Sequence, residues 1–279
     1  MVLIRLALGL ALAYLVLVVL LWRFQERIAF PAPRAPVPHP PDVGLPHGER
    51  VEVIAESGTR LVGWFLPPGE TGRDGKGRGG AAALLWFYGN GENIASIWPV
   101  LRDFQPPGVA LLVLDYPGYG ASDGRATEAG VYETADAAYA YLRARAEVDA
   151  ARIFVYGRSL GTAVASYVAA RHAVAGLILE SPFTSAAEMS GQHYGLFPRR
   201  ILRLGLDNVA RIARVRCPVL VFHGTADRLV PIEMGRRVAA AAPGPVEVVP
   251  IQDAGHNETY ALGGRAYRDK VWEFVLGAR

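Results

Sequence analysis

Three polar side chains stand in an order that suits nucleophilic acyl transfer: Ser159, then Asp227, then His256. Ser159 sits in Gly157-Arg158-Ser159-Leu160-Gly161, a Gly-x-Ser-x-Gly match that is weak by itself because small residues are common. Its context strengthens it. A short apolar run, Ile153-Phe154-Val155-Tyr156, precedes the motif and a helix-forming stretch over 160–170 follows it. Glycines on either side of a serine at such a strand-to-helix turn let neighbouring backbone pass without a Cβ clash, and the strained turn lifts the hydroxyl clear of the sheet. The plain structural alternative is a serine that only caps the helix.

A serine hydroxyl is a poor nucleophile until a base takes its proton. His256, in Gly255-His256-Asn257 after the apolar run over 246–249, fits that base. Asp227, in His223-Gly224-Thr225-Ala226-Asp227 past another apolar run, fits the acid that orients the imidazole. His193 and His223 are rival histidines, and His223, directly after a strand, reads as a structural hydrogen-bonder. Asp253 is the rival acid, but three residues before His256 it reads as a loop-shaping residue. The developing oxyanion needs two donors. The backbone N–H of Leu160 is one, and that of Asn90, in the turn Tyr88-Gly89-Asn90-Gly91 after a strand, is the other. No metal ligand set or cofactor motif accompanies these residues.

These side chains need strand ends to carry them. Apolar runs without alternation over 81–87, 109–114, 153–156, 177–179 and 219–222 read as strands buried on both faces of a parallel sheet. Helical stretches, clearest over 128–145 and 160–170, lie between them. That alternation predicts an α/β class fold with helices on both faces of the sheet. Two further strands, 51–55 and 61–66, flank the turn Glu56-Ser57-Gly58-Thr59. The Gly-rich stretch 67–80 reads as a surface loop, since a phosphate site would need a helix directly after it. The loop over 115–123, rich in glycine and aromatics, reads as a tight structural turn beside the site, with no catalytic part for Asp115.

Ahead of this domain, Leu6 to Trp22 carries no charge. Seventeen residues at 1.5 Å each cover about 25 Å, and the stretch back to Val2 brings it to about 30 Å, the thickness of a bilayer's hydrocarbon core. The run ends in Leu21-Trp22-Arg23 without a small-residue cleavage site, which favours an uncleaved anchor over a signal peptide. The positive-inside count sets the amino terminus and Arg5 against Arg23, Arg27 and Arg34 and tilts the domain toward the cytoplasm, whereas an ordinary signal-anchor would place it outside. The expected organisation is therefore an anchor over 1–24, a proline-rich juxtamembrane linker over 25–48 and a catalytic domain over 49–279. Within it, 183–214 is the one place for a lid. Phe183, Met189, Phe197 and Leu206 supply its apolar stripe, and Arg199, Arg200 and Arg203 either form a solvated helix face or lie on anionic headgroups.

The net charge of +3 on 279 residues carries no basic block interleaved with aromatics, so a nucleic-acid partner is not expected. A single cysteine, Cys217, excludes an internal disulfide framework and reads as a buried structural thiol. Nothing in the pattern speaks to oligomeric state.

Taken together, Tyr88-Gly89-Asn90, Asp115-Tyr116-Pro117-Gly118-Tyr119-Gly120-Ala121-Ser122, Gly157-Arg158-Ser159-Leu160-Gly161, His223-Gly224-Thr225-Ala226-Asp227 and Gly255-His256 resemble the motifs of α/β-hydrolase-domain serine hydrolases. The nearest branch is the membrane-anchored, Bem46-like one, beside the serine aminopeptidase-like hydrolases. The resemblance runs from Leu3 to the end and includes Glu26-Arg27-Ile28-Ala29-Phe30-Pro31 after the anchor. It implies an α/β-hydrolase fold with a mostly parallel central sheet and a small lid. It also implies hydrolysis of acyl esters or thioesters, lipid or acylated substrates among them, with no metal or organic cofactor. Tyr88 departs from the pattern, which usually has histidine before Gly-Asn. Two other readings stay open: a peptidase on the same triad, for which Glu92 and Glu188 are candidate amine binders, and a catalytically silent membrane scaffold.

Overall fold

The computed structural model describes residues 2–69, 80–197 and 199–277. Most of the Gly-rich stretch expected to form a surface loop therefore lies outside the described residues. An apolar run must pair its backbone groups to be buried, and a sheet with helices on both faces does this most economically. Eight strands do so here, in the order β1-β2-β4-β3-β5-β6-β7-β8.

β1 (Glu49–Ile54) and β2 (Arg60–Leu66) form the hairpin read from the Ser57-Gly58 turn, with Gly58 at a φ of 83°. β2 also runs antiparallel to β4 (Ala110–Leu114). From there the sheet is parallel through β3 (Ala81–Phe87), β5 (Val148–Arg158), β6 (Gly176–Glu180), β7 (Val219–Gly224) and β8 (Val246–Ile251). Every residue of β4, β6 and β7 is buried, as their unalternating sequences require.

Helices α2 (Ile94–Phe104), α3 (Glu128–Ala144), α4 (Leu160–Arg171), α7 (Ile232–Ala241) and α8 (Thr259–Gly277) connect the strands or close the chain. Their starts are chemically marked. Asn93 and Ser96 form a reciprocal capping box on α2, and the Thr127 hydroxyl accepts from Gly130 N–H at the start of α3. Between β6 and β7 the chain leaves the sheet through α5 (Ala186–His193), a 3₁₀ turn (Arg199–Ile201) and α6 (Asn208–Ile212). This is the segment expected to form a lid. The helical turn among its arginines is only three residues long, and Arg203 lies beyond it.

The amino-terminal helix α1 runs Val2–Ala29, past the expected boundary at 24. Arg23, Gln25, Glu26 and Arg27 are good helix formers, and the helix stops only where Phe30 precedes Pro31. Among the described residues α1 is the one helix long and apolar enough to cross a membrane. The proline-rich stretch that follows is pinned to the domain. Gly120 N–H and Asn93 Nδ2 donate to Pro33 O, Trp64 Nε1 donates to Pro38 O at 3.1 Å, and Val37 is buried. Proline has no N–H to satisfy but an accepting carbonyl, so such a stretch packs by being donated to.

Candidate active site

Ser159 follows directly on β5 at the carboxyl edge of the sheet, and its backbone is strained: φ is 50° and ψ is −115°. A non-glycine residue persists there only when its surroundings over-determine it. Two close approaches supply that constraint. A Cβ on Gly157 would stand 2.3 Å from Gly161 O, and one on Gly161 would stand 2.2 Å from Phe87 O. Glycine at both positions lets α4 pack against the ends of β5 and β3, and the Ser159 N–H is held by Glu180 O at 2.9 Å.

The structure brings the three sequence-predicted side chains into one chain of hydrogen bonds. Asp227 follows β7, and its Oδ2 lies 2.7 Å from His256 Nδ1. His256 follows β8, and its Nε2 lies 2.8 Å from Ser159 Oγ. With the Nδ1 proton donated to the carboxylate, the Nε2 lone pair is left facing the serine hydroxyl. Asp227 is held from behind, its Oδ1 accepting from Leu229 N–H at 3.0 Å and Val230 N–H at 2.8 Å. Burial pushes the Asp227 carboxyl up, but hydrogen bonds from His223, His256 and Val230 together with the His256 charge outweigh it and hold it well below the ordinary carboxylate range.

The rivals take other positions. His223 is buried and bonds Val230 O through Nε2 at 2.7 Å, bracing the loop that carries Asp227. His193 meets Leu229 O at 2.9 Å. Asp253 turns its loop at a φ of 59° while its N–H donates to Thr225 Oγ1. Cys217 is half-buried, its thiol pushed up to about 11 by burial. Among the described residues, no group of three or more His, Cys, Asp or Glu could hold a metal ion.

Asn90 and Leu160 both line the cavity that Ser159 opens into. Leu160 begins α4, so its N–H has no acceptor in a preceding turn. The turn bearing Asn90 is tied down by residues whose part is not visible in a linear motif. Glu92 Oε2 accepts from Gly89 N–H at 2.6 Å, and its other oxygen pairs with Arg158 Nη1. Arg158 Nη2 also donates to Asn257 Oδ1 at 2.7 Å and to His256 O at 3.4 Å, and its Nε lies 3.3 Å from the buried Glu180. One guanidinium thus joins the loops carrying Asn90 and His256 to the serine's own turn. Tyr88 points away from the cavity, donating to Asp115 Oδ1 at 3.0 Å and accepting from Tyr116 N–H. Asp115 is therefore structural, as its loop context implies.

Two cavities meet at Ser159. The more apolar one, about 490 Å³, runs under the segment between β6 and β7 among Phe183, Met189, Phe197 and Leu202 and is bordered on one side by Leu21, Gln25 and Ile28 of α1. The other, about 520 Å³, is more polar and lies against His256, Arg158, Asn257 and Tyr260. Leu160 lines the first and His256 the second, while Asn90, Ser159 and Leu229 border both.

A family model described as the alpha/beta hydrolase fold matches residues 82–205. An uncharacterized protein of Mycobacterium tuberculosis (strain ATCC 25618 / H37Rv) is 36% identical over 92% of this chain and 89% of its own. The alpha/beta hydrolase domain-containing protein 17B of Homo sapiens is 34% identical over 58% of this chain and 54% of its own. Among solved structures, the Pyrococcus furiosus esterase Pf2001 superposes with a TM-score of 0.70 at 20% identity, over 88% of this chain and 97% of that one, a likeness of fold. The family model, the likeness of fold and the relative matched over 92% of this chain agree: the chain belongs to the α/β-hydrolase family.

Proposed function

We propose that the chain is a membrane-anchored serine hydrolase that cleaves carboxylic esters or thioesters of lipid or acylated substrates. The observation that carries this reading is the unbroken line from Asp227 through His256 to Ser159 Oγ at the junction of the two cavities. His256 Nε2 takes the hydroxyl proton as Oγ bonds to the acyl carbon. The carbonyl oxygen gains charge and is met by the N–H groups of Leu160 and Asn90. As the tetrahedral intermediate collapses, the bond to the leaving oxygen or sulfur breaks and His256 returns the proton to it. Water then attacks the acyl-enzyme by the same sequence and releases the acid. His256 borders the polar cavity, so the leaving group departs there and the acyl chain lies in the apolar one. The long apolar helix α1 supports anchoring.

An acidic patch near the pocket to hold the substrate's amino group would favour the peptidase reading. Glu92 is paired with Arg158, and Glu188 with Arg237 at 2.5 Å and with Thr184, which supports the ester reading over it.

Purified protein and its Ser159→Ala variant, treated with a fluorescent fluorophosphonate and assayed on a ladder of p-nitrophenyl esters, test the proposal. Labelling and hydrolysis present in the wild type and lost in the variant are expected, with the optimum at a chain long enough to fill the apolar cavity. Folded wild type that neither labels nor hydrolyses any ester sinks it and leaves the scaffold.

A further inference from the structure

α1 does more than its sequence requires of an anchor, because part of it is a wall of the apolar cavity. Leu21, Gln25 and Ile28 face that space. Gln25, the one buried residue of α1, closes a two-way hydrogen bond with the lid backbone. Its Nε2 donates to Ile201 O at 3.2 Å, and its Oε1 accepts from Arg203 N–H at 2.6 Å. A buried amide held at both ends ties this part of the lid to the helix, in addition to the contacts of His193 and Glu188 with the rest of the domain.

The contacts between lid and helix are graded along the helix axis. At the level of Trp22, the Arg203 guanidinium sits 4.9 Å over the indole and donates to Trp22 O at 3.2 Å. Eight residues earlier, Tyr14 stacks on Phe197 at 6.0 Å, and its hydroxyl donates to Leu196 O at 2.9 Å. At 1.5 Å per residue those two levels lie about 12 Å apart. A bilayer with Trp22 and Arg23 at its interface would put the arginine contact among headgroups and the Tyr14 contact well inside the hydrocarbon. The lid's chemistry matches both depths. Its tip exposes Leu196 and Tyr194, at 76% and 48%. Two of the tip's backbone N–H groups are satisfied from within, Phe197 N–H donating to Tyr194 O and Tyr194 N–H to Ser190 O. A carbonyl at that depth has no water to accept from, which gives the Tyr14 hydroxyl a reason to stand in the middle of an apolar span.

We infer that the lid tip at 194–197 is seated in the same leaflet as α1, and that the acyl chain of a bilayer lipid ester enters sideways from that leaflet, between α1 and the lid. This inference rests on Ser159 being the nucleophile. It assigns Leu21 and Ile28 of the spanning helix to the acyl-binding site.

The test uses the full chain in phosphatidylcholine–phosphatidylglycerol vesicles. The probe is a long-chain alkyl phosphonate p-nitrophenyl ester with a diazirine at the chain end. Ser159 Oγ bonds to phosphorus, p-nitrophenolate leaves, and light then fixes the chain end to what surrounds it. Adducts on Ser159 with cross-links in peptides covering 21–29 and 197–202 are expected. Adducts on Ser159 with cross-links only around Trp86 and Tyr260, in the polar cavity, overturn the inference while leaving the nucleophile intact. Failure to label Ser159 overturns both. Leu196→Asp provides the second arm, since this exposed side chain lines neither cavity. Its reaction with the vesicle probe should fall at least tenfold while labelling by a soluble fluorophosphonate stays at the wild-type rate. Equal rates with both probes overturn seating of the tip in the leaflet.

Discussion

At the scale of single residues, Arg158 carries more than its place as the variable position in Gly-x-Ser-x-Gly suggests. It touches Glu92, Glu180, Asn257 and the His256 carbonyl at once, and it is largely buried. Only a forked guanidinium meets that many acceptors from one stem. Arg158→Lys keeps the charge but cannot span them, so the Asn90 turn and the His256 loop lose their common brace. A misplacement of this size costs about 10–100-fold in kcat, with KM for a short ester little changed. Arg158→Ala would also strand the Glu180 carboxylate in the core at a cost of about 3–5 kcal/mol. Steady-state kinetics on p-nitrophenyl butyrate and urea unfolding in detergent read the two effects separately. A lysine variant with wild-type kcat would remove Arg158 from the positioning of the site.

At the scale of elements, the strands were legible because each is a short apolar run that must be buried on both faces. The candidate triad was legible because its members follow three of those runs in order. The brace was not. Arg158 and Glu92 are 66 residues apart, and Glu180 lies 22 beyond Arg158, so no local pattern joins them. Tyr88 stood out only as a departure, and the structure supplies its reason in a junction between elements. The Asp115 carboxyl, at the end of β4, accepts from Tyr88 OH at the end of β3 and from Ile94 N–H at the start of α2. Burial is the largest influence on Asp115 and raises it from 3.8 to about 6, against the lowering effect of those hydrogen bonds. A folded value above the unfolded one means the fold prefers the protonated acid. The associated stability is fully present below about pH 4 and is lost as pH rises through about 6. At 1.36 kcal/mol per pH unit this amounts to about 3 kcal/mol. Asp115→Asn titrates nothing at this junction. Unfolding free energies measured from pH 4 to 7.5 should therefore fall more steeply for the wild type than for the variant, by up to that amount. Parallel curves would mean that the junction is better hydrated than its burial implies.

At the scale of the whole molecule, the helix that reads as a separate anchor and the domain that reads as self-contained share a surface. Sequence patterning separates them because the amino-terminal stretch is apolar from Leu6 to Trp22 and the candidate lid carries no long periodic run. Hydrogen bonds such as Gln25 to Ile201 O cross 176 residues of chain. The lid segment is short in regular structure, with α5 and a three-residue turn before Asn208. Its order therefore depends on what it leans against, and stability in such a segment is local. Gln25→Ala removes one donor and one acceptor from that contact and leaves Ile201 O and Arg203 N–H without their partner. The loss is about 1–3 kcal/mol, confined to docking of the lid, because the sheet does not use these groups. Trypsin reports this directly, since Arg200 and Arg203 are exposed sites within the segment. In detergent, cleavage in the lid segment should be about 5–150-fold faster in Gln25→Ala than in the wild type, with the midpoint of global unfolding moved little. Opening governs the cleavage rate as long as reclosing is fast, so the ratio measures the free energy of docking. Equal cleavage rates would show that this segment is held by the rest of the domain, without a contribution from α1.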